Sequence, residues 1–141
     1  MTIQVTTHLN FRGRAREALD FYAAVFGGER TIVTYGDAGA AQDAAEVDHV
    51  VWGQVATGGG FRIMAYDVQR NLPWDPGANA FYVALRGTAA PEIEAYWTKL
   101  REGATVLQEL GPAPWSPLYG KLTDQFGTTW IVDVAAEGNP T

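Results

Sequence analysis

The sequence predicts an α+β fold built from two successive βαβββ modules. Three observations carry that prediction: short strand-like segments outnumber helical ones, each of two amphipathic helical stretches follows one strand and precedes three, and matching residues recur between the two halves. Of the 141 residues, 47% are hydrophobic and only 18% are charged, which suits a chain that buries a sizeable core. A single domain over residues 1–141 is expected, with module one at about residues 3–67, a linker at about 68–78 and module two at about 79–135.

Residues 5–11 have the β-branched and aromatic content of a strand and run into the turn signal Arg12-Gly13. The period then changes. From residue 14 to 26, Ala15, Ala18, Leu19, Tyr22, Val25 and Phe26 recur at three- and four-residue steps, the mark of a helix with one apolar face, and Gly27-Gly28 stops it. Strands are expected at residues 31–35, 50–56 and 61–66, the last two joined by the Gly58-Gly59-Gly60 hairpin. After a loop rich in turn residues (Pro73, Asp75, Pro76, Gly77), the series repeats: a strand at 81–85, a helix at 90–102 with Pro91 in its first turn, and strands at 105–109, 118–123 and 129–134.

The repetition extends to individual residues. Sliding the chain so that Arg12-Gly13 falls on Arg86-Gly87 also brings Ala15 onto Ala89, Tyr22 onto Tyr96, Phe26 onto Leu100 and Ile32 onto Val106. A slightly shorter shift brings Gly60 onto Gly127 and Met64 onto Ile131. Internal duplication explains both, with the difference absorbed in the longer loops of the first half.

Composition excludes several classes of function. Ten Lys and Arg against sixteen Asp and Glu leave a formal charge of −6, a field that repels phosphate backbones and anionic lipid, so no nucleic-acid partner is expected. No apolar run approaches the roughly 20 residues that cross a bilayer, and residues 1–10 have neither a basic nor an apolar leader region. A cytoplasmic protein with no membrane partner is the expectation. The absence of cysteine removes disulfides, thiolate metal sites and a Cys nucleophile.

Two stretches resemble a known family. Phe11-Arg-Gly-Arg-Ala-Arg-Glu-Ala-Leu-Asp-Phe-Tyr22 with Phe26-Gly-Gly is similar to the opening of PhnB-like proteins, and Trp115-Ser-Pro-Leu-Tyr-Gly-Lys-Leu-Thr-Asp-Gln-Phe-Gly-Thr-Thr-Trp130 to their close. Ile63-Met64-Ala65-Tyr66-Asp67 fits between them, so the likeness covers both halves in order. It implies the vicinal-oxygen-chelate (glyoxalase-like) superfamily: cupped mixed sheets around a pocket, helices outside, and a homodimer. Glyoxalases, dioxygenases, thiol transferases and antibiotic-binding proteins share that fold, so it selects no reaction. Some PhnB-like proteins bear a demethylubiquinone methyltransferase label. Here the Gly-rich run at residues 58–60 lies between strands and not at the strand-to-helix turn a cofactor loop needs, and no cofactor is expected.

The resemblance also implies where metal-dependent members place His, Gln or Glu. The matching positions here are Thr7, Met64, Ala80 or Phe81, and Ile131, whose side chains cannot hold Zn, Ni or Fe, so no metal is expected. Of the two histidines, His8 is read as facing away from Thr7, packed beneath the helix, and His49 as a solvated strand end beside Asp48. Asp67, Asp124 and Asp133 are candidate acid–base groups, each better explained by a turn or strand end, and Ser116 lacks a nearby base. Arg62 is taken to face away from Met64 and into solvent.

Aromatic residues are the more suggestive class: Trp52, Phe61, Phe81, Tyr82, Trp115, Tyr119 and Trp130 lie in or beside strands that would line the cups, in the manner of a largely apolar small-molecule site. The ligand pocket is assigned to Thr7, Leu9, Trp52 and Met64 in the first module and to Phe81, Trp115, Tyr119 and Ile131 in the second. The expected function is metal-independent binding of a small molecule. The alternatives are an enzyme of the glyoxalase, dioxygenase or thiol-transferase type that recruits His8, His49 and a carboxylate, and an interaction module with a filled interior.

Overall fold

The computed structural model describes residues 3–136. The chain divides into two compact units, Met1–Gly77 and Ala78–Thr141. Within the described residues the first unit holds β1 (Thr7–Phe11), α1 (Ala15–Phe26), β2 (Glu29–Thr34), β3 (Val50–Ala56) and β4 (Arg62–Asp67). The second holds β5 (Val83–Gly87), α2 (Ala90–Leu100), β6 (Thr105–Ala113), β7 (Ser116–Thr123) and β8 (Thr129–Val134). Each forms a four-stranded mixed sheet, ordered β1-β4-β3-β2 in one and β5-β8-β7-β6 in the other, with the first strand parallel to the last and the remaining pairs antiparallel. This is the α+β architecture of two βαβββ modules. No helix among the described residues is long and apolar enough to cross a membrane.

Element boundaries moved for physical reasons. The fifth strand starts at Val83 and not at residue 81; Phe81 stands ahead of it and is 67% exposed. The sixth runs on to Ala113 through Pro112, which an edge strand tolerates because its outer N–H faces no partner, and its pairing with β7 slips at several points. The first strand begins at Thr7, leaving Val5 fully solvent-exposed.

Helix packing fixes the two faces of each sheet. The apolar side of α1 buries Ala15, Ala18, Leu19, Tyr22, Val25 and Phe26, and Leu19 sits where Gly53 leaves room: a Cβ there would stand 2.3 Å from Leu19 Cδ1. Gly53 pairs with Ala65, which pairs with Leu9, so Leu9, Ala65, Val55 and Ile63 form the helix-side layer. In the second unit Gly120 does the same beneath α2, where a Cβ would stand 2.9 Å from the Trp97 ring. Trp97 and Ile93 cover Trp130, Val132 and Leu122, all fully buried or nearly so. Burying one such side chain contributes about 2 kcal/mol, so these two layers are the main apolar stabilisation of each unit.

The shift that relates Gly60 to Gly127 also relates Gly53 to Gly120. It carries over a turn as well: Thr57 N–H donates to Phe61 O and Gly60 N–H to Thr57 O, as Asp124 N–H donates to Thr128 O and Gly127 N–H to Asp124 O. In the second turn the Asp124 carboxylate adds bonds from the N–H groups of Phe126 and Thr128 and from Trp130 Nε1.

Candidate functional site

With a helix on one face of each sheet, chemistry has the other face. In the first unit that face carries the residues of opposite parity to Leu9 and Ala65. His8, Met64 and Gln54 stand in one row across β1, β4 and β3, with Asn10 and Tyr66 beside each other in the next. The His8 ring meets Tyr66 edge-on at 5.2 Å, and its Nδ1 lies 2.9 Å from Asn10 Oδ1. Donation from Nδ1 to that oxygen leaves the lone pair on Nε2. Arg62 donates to Gln54 Oε1 at 3.1 Å, and an open depression of about 260 Å³ lies between Arg62, Gly60 and residues 4–6.

In the second unit the corresponding face has the row Lys121, Ile131, Ala84, and next to it the row Tyr119, Asp133, Arg86. Asp133 is 4% exposed, and both its oxygens receive the Arg86 guanidinium at 3.3 Å, which removes its charge from the surface. The Lys121 ammonium lies over the Tyr82 ring, 5.1 Å from its centre, while the Tyr82 hydroxyl donates to Asn79 Oδ1. Trp115 meets Tyr119 edge-on at 5.2 Å.

Several sequence assignments fall together here and others do not. Trp52 and Met64 are on the helix-free face of the first unit, and Tyr119 and Ile131 on that of the second, with Trp115 at its margin. Thr7 and Leu9 are on the helix side, Leu9 being buried in the core. The expected orientation of the first strand is therefore reversed: His8, and not Thr7, shares the face of Met64. The apolar pair Leu9 and Phe11 meets α1, which needs apolar partners. Arg62 and Met64, two residues apart in one strand, share a face as strand alternation requires, correcting the opposite assignment. Phe61 stacks on Phe26 at 4.0 Å, and Trp130 is core, so neither belongs to a ligand face. Tyr66 and Lys121 join these faces although neither is among the residues assigned to the pocket from sequence. The signal for both is parity, because Tyr66 and Lys121 each stand two residues along a strand from a pocket assignment, Met64 and Tyr119.

The candidate acids and nucleophile have structural partners. Asp67 accepts N–H groups of Gly13, Ala15 and Val50, capping α1 from the end of β4, and its carbonyl receives the buried Tyr35 hydroxyl at 2.6 Å. Burial first, then the nearby Tyr66, Asp67 and Glu46, pushes the Tyr35 hydroxyl above its ordinary pKa of 10.0. The Ser116 hydroxyl lies within hydrogen-bond distance of the carbonyl oxygens of Leu118 and Val134, which share its one proton. His49 lies against Gly13 at the start of α1, while His8 lies against Tyr66 on the open face. Among the described residues no three His, Asp or Glu side chains gather to hold a metal ion. In the first unit the thioether of Met64 stands beside His8, and in the second Ile131 brings no donor atom to its own sheet face.

No functionally curated protein matches the chain. Solved structures do. Protein PA1353 from Pseudomonas aeruginosa is 29% identical, with a TM-score of 0.83 over 95% of this chain and 98% of that one. A PhnB protein from Bacillus cereus, bearing a provisional 3-demethylubiquinone-9 3-methyltransferase name, is 26% identical with a TM-score of 0.70 over 94% and 100%. The hypothetical protein SA1046 from S. aureus, 14% identical over 96% and 95% with a TM-score of 0.64, shares the fold. The family model described as Glyoxalase/Bleomycin resistance protein/Dioxygenase superfamily matches residues 7–132. By fold, by neighbours and by this match, the chain belongs to the glyoxalase/bleomycin resistance protein/dioxygenase superfamily, among whose members it resembles PhnB-like proteins.

Proposed function

We propose that this protein binds a small, planar organic molecule on a helix-free sheet face, without a metal ion, and works as a homodimer. The observation that carries the reading is the second unit's open face, where Tyr82 and Tyr119 flank Ile131 and the exposed Trp115 stands at the edge. Rings and a branched aliphatic side chain favour flat, apolar ligand bodies. Support for metal independence comes from the donor chemistry at Met64 and Ile131.

Three measurements test this. After incubation with Zn, Ni, Mn and Fe salts followed by dialysis, elemental analysis should find no stoichiometric ion; one ion per chain would overturn metal independence. Titration with the neutral fluorophore N-phenyl-1-naphthylamine should give saturable binding that Trp115→Ala together with Tyr119→Ala weakens, and absence of saturation would sink the binding assignment. Sedimentation should give twice the mass of the chain.

A further inference from the structure

The chain carries a net charge of −6, yet the second unit's open face presents a cation that no carboxylate among the described residues pairs with. The charged pair beside it cancels, since Arg86 donates from Nε and Nη2 to the two carboxylate oxygens of Asp133. Glu109, on the neighbouring strand, pairs with Arg101. Lys121 is half-buried on the strand between β6 and β8 and takes part in none of the ion pairs among the described residues. Its ammonium rests on the Tyr82 ring, which holds it over the face and supplies no negative charge. A partly desolvated cation with donors to spare favours an anion more strongly than one in water does.

The row containing Lys121 shows where such an anion's body would lie. Its register partner is Ile131, and the next residue across is Ala84, exposed and short enough to leave the space above it open. Tyr82 and the Arg86–Asp133 pair border that floor. We infer that the ligand is a planar organic anion whose carboxylate, sulfonate or phosphate is received by Lys121 while its flat body covers Ile131 and Ala84. The inference rests on the reading of this face as the ligand face, and adds the charge of the ligand to it. It also makes Lys121 a specificity-determining residue: a neutral analogue would leave the ammonium covered without a partner.

Two fluorophores that differ by one sulfonate separate the claims: 8-anilinonaphthalene-1-sulfonate and its neutral parent, N-phenyl-1-naphthylamine. The expected result is that the wild-type chain binds the sulfonate roughly ten-fold more tightly than its neutral parent, that Lys121→Gln abolishes this preference, and that Lys121→Arg retains it. Added salt should erode the preference. Equal affinities in the wild-type chain, or a preference that survives in Lys121→Gln, would overturn the anion inference and leave the aromatic binding face standing. Failure of both probes would remove both. Should Lys121→Gln lose both probes through a disturbed face, Lys121→Arg decides: a retained preference supports the inference, and a lost one overturns it.

Discussion

In the first unit, α1 starts on a carboxylate: Asp67, at the end of β4, reaches the N–H groups of Gly13 and Ala15 and ties Val50 to the same point. In the second, the shift that carries Gly60 onto Gly127 puts Val134 in the place of Asp67, and α2 carries Pro91 in its first turn and has no side-chain cap. Yet both units keep the glycine beneath the helix and the same strand-joining turn. What the halves share is steric and backbone-made. What differs is polar. Asp67 anchors a helix in one half, while in the other Asp133 holds a cation at the open face.

The largest effect should come from removing the anchor. Asp67→Ala leaves buried N–H groups at the start of α1 and at Val50 without an acceptor, and should cost on the order of 4 kcal/mol in urea unfolding. No residue at the start of α2 should approach that. A loss below about 1 kcal/mol would break the contrast.

Next come the two glycines. Gly120→Ala forces a methyl against the rigid ring of Trp97 and against the backbone at Leu110, and should cost about 2–3 kcal/mol. Gly53→Ala meets the tip of Leu19, which can turn, as well as the carbonyl of Ala65, and should cost about 1–2 kcal/mol. Thermal melts of the two variants side by side read the order, and the reverse order would show that α1 is the tighter of the two packings.

The smallest effect is at Tyr35. Tyr35→Phe loses one buried hydrogen bond to the Asp67 carbonyl, about 1 kcal/mol at neutral pH. Because the folded chain holds this proton more tightly than the unfolded one, the tyrosine's contribution is intact below pH 10.0 and declines as pH rises beyond it. Unfolding measured across that range should show a shallower alkaline decline in the variant; identical slopes would mean that Tyr35 titrates alike in both states.

Fold and order of elements were legible in the sequence because helix period and strand alternation are local signals, and because the turn at Thr57–Phe61 recurs at Asp124–Thr128. The face assignment of the first strand was not. Alternation separates Thr7, Leu9 and Phe11 from His8 and Asn10 but does not say which set meets a helix, and the face that carries the helix takes the apolar set. Leu9 looked like a pocket wall for the same reason that it is core: it is apolar. Lys121 is not legible as a site residue because a single charge in a strand carries no pattern of its own, although Tyr119 two residues away marks its face. Phe81 was placed by its residue type in a strand that the chain enters only at Val83.

The parallel pairing of β1 with β4 has a kinetic consequence. Thr7 joins Ile63, so the first strand has no permanent partner until the whole module behind it has been made, and β5 waits in the same way for β8. Closing so long a stretch of chain costs entropy before any contact repays it, which makes docking of the opening strand a late, slow event in each half. Until then the inner edge of β4 or β8 is bare, and a stray strand from another copy of the chain can take the vacant position.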